Sequence, residues 1–298
     1  MIKYIVSSII ILFIIAIVIG QCNAEPTEGE YLEYDETYSK ATKNPEHSIV
    51  IKEKPTERDT VPSANFPEEK NGQYEIPRFI DYRTSQILEK EGYTTSYNEN
   101  TRNPNWVAWH LTSAHTSGEW SRKGIPFMED KEVKGEQQNN DAYRSTSLPI
   151  DHGHMCPAGD NKWSAKAMEQ SFLLTNICPQ NSNLNRGDWN ELEERCRGWA
   201  RHYGEIWIAC GPIFYNETYT TIGNKIGVPD AFFKVVLRLG KNPRALGFIY
   251  PNEGTNHHMS YYAMSVDEVE EKTGIDFFYN LSDDIEDIVE ASSNLKEW

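Results

Sequence analysis

The sequence predicts an α+β fold built on an antiparallel sheet. Strand-like segments outnumber helical ones, turns rather than long helices join them, and one strongly amphipathic helix interrupts the pattern. In chain order, Trp106-Val107-Ala108-Trp109-His110-Leu111-Thr112 reads as a strand. Leu148-Pro149-Ile150 leads into a second that carries Asp151-His152-Gly153-His154-Met155. Residues 185–203 form the clearest helix: Trp189, Leu192, Cys196, Trp199 and Tyr203 fall in one stripe at about 100° per residue, and Gly204 is a natural stop. Segments 205–214, 232–239 and 245–250 read as strands, the last two joined by a Gly240-Lys241-Asn242-Pro243 turn. Residues 266–273 read as a short helix.

The chain has 298 residues and a formal charge of −16, and the position of that charge matters more than its size. Residues 25–75 carry 13 acidic and 6 basic side chains, and residues 266–298 carry 11 and 2. Between them, 20 basic residues nearly balance 21 acidic ones, so a local basic groove is compatible with the acidic total. That total argues against tight non-specific grip on nucleic acid, because phosphate contacts dominate such binding. It does not argue against an enzyme that releases its product quickly.

Met1-Ile2-Lys3, an apolar run from Tyr4 to Gly20 and the boundary Gln21-Cys22-Asn23-Ala24 read as a secretory signal spanning residues 1–24. Two alternatives are an uncleaved membrane anchor and a lipidated Cys22, although Gln21 is a poor residue before a lipidated cysteine. Each of them exports the protein, to a secreted or periplasmic location. Residues 25–75, rich in Glu, Thr, Pro and Lys, read as a disordered linker, with a globular domain over 76–298. In an oxidising compartment the four remaining cysteines suggest two disulfides, paired as Cys156 with Cys178 and Cys196 with Cys210. No Cys-x-x-Cys or His-x-x-x-His spacing supports a zinc site.

The chemistry concentrates in two stretches. His154, beside Gly153, is a base that can work near neutral pH. Asn185 and Glu193, at the head of the helix, can together hold one hard, water-rich metal ion. On a single helical wheel Asn185 falls inside the apolar stripe and Glu193 roughly 80° to one side. A buried amide needs a partner, and a metal or its waters supply one. Bland readings stand beside these: His154 as a structural histidine, Asn185 as a helix N-cap, Glu193 paired with Arg197 at i+4, and Arg122 as a surface cation.

Several blocks in order carry a resemblance. They are Asn105-Trp106-Val107-Ala108-Trp109, Asp151-His152-Gly153-His154, Thr175-Asn176-Ile177-Cys178-Pro179-Gln180, Leu184-Asn185-Arg186-Gly187 with Trp189 and Leu192-Glu193, Gly211-Pro212-Ile213-Phe214, the run from Val228 to Val235, and the run from Val266 to Gly274. Over roughly residues 76–290 the chain resembles the DNA/RNA non-specific endonucleases, a family that includes secreted bacterial nucleases and mitochondrial endonuclease G. The resemblance implies a ββα-metal (His-Me finger) fold, a central antiparallel sheet flanked by helices, and Mg²⁺-dependent hydrolysis of DNA and RNA, with Mn²⁺ as a substitute. It implies His154 as general base and Asn185 as the direct metal ligand. Glu193 orders the metal's waters, Arg122 and Arg186 contact the substrate, and Asn176 positions the site. The family signature has arginine where this chain has His152. Histidine there implies weaker substrate binding at neutral pH and activity shifted toward mild acid. The alternative is a nucleic-acid-binding or structural relative that has lost catalysis. The sequence names no protein partner and leaves a homodimer open.

Overall fold

A seven-stranded antiparallel sheet forms the centre of the computed structural model, which describes residues 72–298 except 224 and 255. The nine strands that matter here are β1 (Gln86–Glu89), β2 (Thr94–Asn98), β3 (Asn103–Thr112), β4 (Ile150–His154), β5 (Ile177–Asn181), β6 (Glu205–Ile213), β7 (Ala231–Arg238), β8 (Arg244–Pro251) and β9 (Ala263–Met264). The main sheet runs β9-β8-β7-β6-β3-β2-β1, and every neighbouring pair in it is antiparallel. Strands β4 and β5 form a separate antiparallel hairpin. The helices are α1 (Asn140–Ser145), α2 (Ala165–Gln170), α3 (Ser182–Arg186), α4 (Asp188–Tyr203), α5 (Val266–Thr273) and α6 (Asp283–Glu290).

The central strands are apolar on both faces, and the two-residue period sorts them into two cores. Val107, Trp109, Leu111, Ile206, Ile208, Cys210, Phe232 and Val236 point to one side, where Trp189, Leu192, Cys196 and Trp199 of α4 cover them. Trp106, Ala108, Trp207, Ala209, Phe233, Val235 and Leu237 point to the other, against Val266 and Val269 of α5 and Val289 of α6. The strands expected around residues 106–112, 150–155, 205–214, 232–239 and 245–250 are all present, as are the β7–β8 hairpin and the 266–273 helix.

The expected helix over 185–203 is two helices. Asn181, not Asn185, caps α3, accepting from the backbone N–H groups of Asn183 and Leu184. At Gly187 the backbone leaves the helical region (φ −106°, ψ −111°), and α4 starts afresh at Asp188. One wheel therefore does not govern both Asn185 and Glu193. Gly204 does end α4, at φ +93°, where only glycine is unstrained.

The two predicted disulfides are absent: Cys156, Cys178, Cys196 and Cys210 are all free and buried. They pack as small apolar groups in the core beneath α4. Asn161 Nδ2 donates to Cys156 Sγ at 3.3 Å, and Cys210 Sγ donates to the Met155 carbonyl at 3.4 Å. Burial pushes the Cys196 and Cys210 thiols up to about 12, which keeps them protonated.

The signal expected over 1–24 and nearly all of the 25–75 linker lie outside the described residues. The linker's last residues belong to the folded part: the Tyr74 ring meets Trp207 edge-on at 5.5 Å. Among the described residues no helix is long and apolar enough to cross a membrane.

Candidate active site

The β4–β5 hairpin followed by α3 and α4 delivers His152, His154, Asn185, Arg186 and Glu193 to one cleft of about 740 Å³. His154 ends β4, opposite Ile177 on β5. Its ring lies 5.0 Å from Phe172, edge-on, and 5.4 Å from Phe127. Nε2 is buried and has no hydrogen-bond partner among the described residues. Burial, with the positive charge of Arg122 and the neighbouring His152, holds the imidazole down at about 3. The ring is therefore neutral at any working pH, with its basicity weakened until something offsets the burial or the Arg122 charge.

Gly153 makes room for this arrangement. A Cβ there would lie 2.4 Å from Gln180 Oε1 and 2.5 Å from Gln180 Cβ. Gln180 is fully buried, so it has nowhere to retreat. Gly153→Ala should cost roughly 1–3 kcal/mol by overpacking. Urea unfolding should show a lower midpoint at unchanged slope, and an unchanged midpoint would contradict the close packing.

Asn185 is half-buried in α3, and its Nδ2 donates to Asp151 Oδ2 at 3.0 Å. Asp151 also accepts from Ser182 Oγ at 3.0 Å and takes both arms of Arg186 at 2.8 and 2.7 Å. Although its partial burial works the other way, these bonds to Arg186, Asn185 and Ser182 hold the Asp151 carboxyl below its ordinary value. With the amide nitrogen committed, the Asn185 oxygen is the atom left for a ligand in the cleft. Arg186, expected to contact substrate, spends its guanidinium on Asp151 while remaining exposed at the rim.

Glu193 stands on the same wall, from the second turn of α4. Burial raises its carboxyl to about 7, against the opposing pull of Lys234 and Arg197. The Glu193–Arg197 pair, the bland alternative for Glu193, does not form. Arg197 Nη1 instead binds Asp160 Oδ1 at 3.0 Å, and Asp160 Oδ2 accepts from Trp109 Nε1 at 3.1 Å. Beneath them Lys234 is fully buried, its Nζ 4.3 Å from the centre of the Trp189 ring and 5.5 Å from that of Trp109. Asp151, Asp160 and Lys234 were missed as site components. A lysine inside the apolar run Phe232-Phe233-Lys234-Val235-Val236 was the available signal.

Arg122 lines the cleft from an exposed loop, its guanidinium 5.4 Å from the centre of the Phe172 ring. Trp120 and Lys162 line it as well. Asn176 is buried and does not line the cleft. Its side chain accepts from the Cys156 N–H at 2.9 Å and donates to the Cys156 and Ser171 carbonyls at 2.8 Å each, which pins the turn that follows His154.

His152 lines the cleft but is held fast. Its ring stacks between Tyr143, at 3.7 Å, and Phe127, at 4.3 Å, and its Nε2 meets Asn140 Oδ1 at 3.1 Å. Burial lowers its pKa to about 4, so it carries no charge at mildly acidic pH. The expected acid shift in activity therefore lacks its physical basis. Wild type and His152→Arg should share the shape of their pH–rate profiles between about pH 5.5 and 8, with a lower KM for the arginine variant. A wild-type rate that climbs below pH 7, and stops climbing in His152→Arg, would contradict this.

The model of the DNA/RNA non-specific endonuclease family matches residues 71–284. Nuclease C1 of Cunninghamella echinulata var. echinulata is 34% identical over 223 residues, covering 69% of this chain and 88% of the relative. Human mitochondrial nuclease EXOG is 32% identical over 207 residues, 63% of this chain and 56% of the relative. Human mitochondrial endonuclease G is 29% identical over 212 residues, 66% and 71%. The chain thus spans less than two thirds of the length of the EXOG nucleases. Among solved structures, that of the EndoG/EndoGI complex shares the fold with a TM-score of 0.63 at 24% identity, covering 69% of this chain and 91% of the matched one.

Relatives named as mitochondrial, from animals and from Saccharomyces cerevisiae, overturn the expectation of an exported protein. An apolar run behind one lysine reports affinity for a membrane without saying which membrane, and the export reading went further than that. The family model accounts for well over half of the sequence, and the fold likeness covers 69% of the chain: the chain belongs to the DNA/RNA non-specific endonuclease family.

Proposed function

We propose that this protein is a metal-dependent endonuclease that hydrolyses phosphodiester bonds of DNA and RNA without sequence preference. The observation that carries the reading is the convergence of His154, Arg122 and the Asn185–Glu193 stretch on one cleft from three separate parts of the chain. In this reading the neutral His154 ring takes a proton from the attacking water, a contribution typically of about 10²–10⁴ in rate. Arg122 holds the phosphate through its permanent charge. Asn176 keeps the turn after His154 in place. Arg186 acts through Asp151, with its exposed side free for a neighbouring phosphate, and His152 shapes the floor as a neutral ring.

The donor set fits a hard divalent ion that keeps most of its waters, Mg²⁺ first and Mn²⁺ as substitute. Asn185 offers an amide oxygen whose orientation Asp151 fixes, and Glu193 offers a carboxylate for the ion's waters. When bound, such an ion neutralises developing charge on the phosphate and eases departure of the leaving oxygen. Glu193, raised by burial, has reason to ionise fully beside a cation.

By the same relatives we assign the compartment as mitochondrial, which organelle fractionation checks. Activity is tested by incubating supercoiled plasmid and a single-stranded RNA with the protein in Mg²⁺ and in EDTA. Both substrates should be cut only with the metal. Intact plasmid and RNA in Mg²⁺ would leave a binding protein without catalysis.

A further inference from the structure

On the sheet face opposite α4, the acidic C-terminal region folds three carboxylates onto one another. Single oxygens of Asp267, Glu270 and Glu290 all lie within 4.8 Å of each other. Asp267 and Glu270 sit on α5, and Glu290 is the last residue of α6. Crowding alone does not make a site, because exposed acidic groups often gather without a ligand. Glu290 is different. It is 5% exposed, its Oε1 is buried, and that oxygen has no hydrogen-bond partner among the described residues. A buried unpaired carboxylate is among the costliest groups a fold can hold.

Its surroundings deepen the cost. Glu290 stands at the C-terminal end of a helix, where the helix dipole is itself negative. Glu270 commits Oε1 to the Phe277 N–H at 2.7 Å, which leaves its other oxygen for the cluster. Asp276 and Glu286 add negative charge nearby, and Arg78, the cation that faces Glu286, is bound to Asp276 at 2.7 Å. Burial and these neighbours push Glu290 up to about 10 and Glu270 up to about 8.

We propose that Asp267, Glu270 and Glu290 form a divalent-cation site of the calcium class that clamps α6 to α5. Calcium takes six to eight oxygens at about 2.3–2.6 Å in flexible geometry, so ligand oxygens up to about 5 Å apart can share one ion without rearrangement. Magnesium, at about 2.0–2.1 Å with strict octahedral demands, suits this spacing less well. The last-turn carbonyls of α6, which no helical N–H can reach, are further oxygens of the right hardness. The site is structural. Val266, Val269 and Val289, which flank it, belong to the core on the far side of the sheet from the cleft, so the ion held here is not the one beside Asn185. The inference stands whether or not the chain proves to be a nuclease.

The test uses the full chain carrying Asn185→Ala, which removes the proposed cleft ligand. CaCl₂ is titrated by calorimetry, and thermal unfolding is followed with calcium and after EDTA. One ion should bind per chain, and at about a hundredfold excess over Kd the Tm should rise by roughly 5–10 °C. Adding Glu290→Gln should abolish both the binding heat and the shift. Adding Asp267→Asn, an exposed change that leaves the core untouched, should weaken binding by at least about tenfold. A calcium shift that survives both substitutions would overturn the proposal. So would a Tm indifferent to calcium before either change, which would mean that protons alone settle the three carboxyls.

Discussion

His154→Ala should lower kcat on plasmid DNA by about 10²–10⁴ while leaving the far-UV spectrum and the unfolding transition recognisably those of wild type. The size follows from the role of a positioned base. The tolerance follows from the packing: Nε2 makes no hydrogen bond, so its removal strands no protein partner. The low pKa of the ring has its own consequence. Burial and Arg122 keep it neutral in the free protein, with protonation deferred to about pH 3. The unfolded imidazole titrates near 6.5, so protons favour the unfolded chain, and this group subtracts stability progressively as pH falls from about 6.5 toward 3. A phosphate docked on Arg122 offsets that arginine's charge and raises the ring back toward the range in which a general base works best. The acid limb of kcat should therefore lie at higher pH than that of kcat/KM. Coincident limbs, or a His154→Ala variant of wild-type rate, would remove His154 from the chemistry.

Asn185→Ala should be equally damaging by a different route. It deletes the amide oxygen that the proposed function gives to the metal and that the Asp151 bond orients, and loss of such a metal would forfeit several kcal/mol of charge stabilisation, about 10²–10⁴ in rate. The two variants differ in how they respond to metal. Raising Mg²⁺ a hundredfold should recover part of the Asn185→Ala rate and none of the His154→Ala rate. Equal behaviour of the pair would mean that Asn185 acts as a structural residue.

The sheet was readable where both of its faces are apolar. Segments such as 205–213 and 231–238 bury aliphatic and aromatic side chains on both sides, so their burial is written into composition. Strand β2 escaped because it buries polar residues, and the four-residue β1 because it buries only Leu88. Thr95 and Ser96 are fully buried, and Thr95 Oγ1 lies within hydrogen-bonding distance, 3.2 Å, of the carbonyls of Trp106 and Thr175. No hydropathy pattern announces such a strand. The break at Gly187 was hidden for a similar reason: the apolar stripe of α4 continues backwards onto Leu184, which is buried in its own right.

Within the cleft, residue identities carried further than residue roles. The ordered blocks placed His154, Asn185 and Glu193, which the fold does gather. What the blocks could not supply is how the neighbours are engaged. Arg186 is tied to Asp151, His152 is locked between two rings, and Arg197 prefers Asp160 to Glu193. Each pairing depends on elements more than ten residues distant or on the other side of a turn, beyond the reach of helical spacing. The disulfide expectation failed at an earlier step. It inferred oxidation from a compartment, whereas these thiols serve as core volume.

The central claim is that one divalent ion sits at the amide oxygen of Asn185, in the cleft that His154 also lines. The most direct measurement is an anomalous-scattering map from a crystal of the protein soaked in Mn²⁺. The account predicts a peak at direct coordination distance from the Asn185 amide oxygen, with Glu193 reached through water, and no such peak in Asn185→Ala. Manganese bound elsewhere in the cleft, or an equally strong peak in the alanine variant, would contradict it.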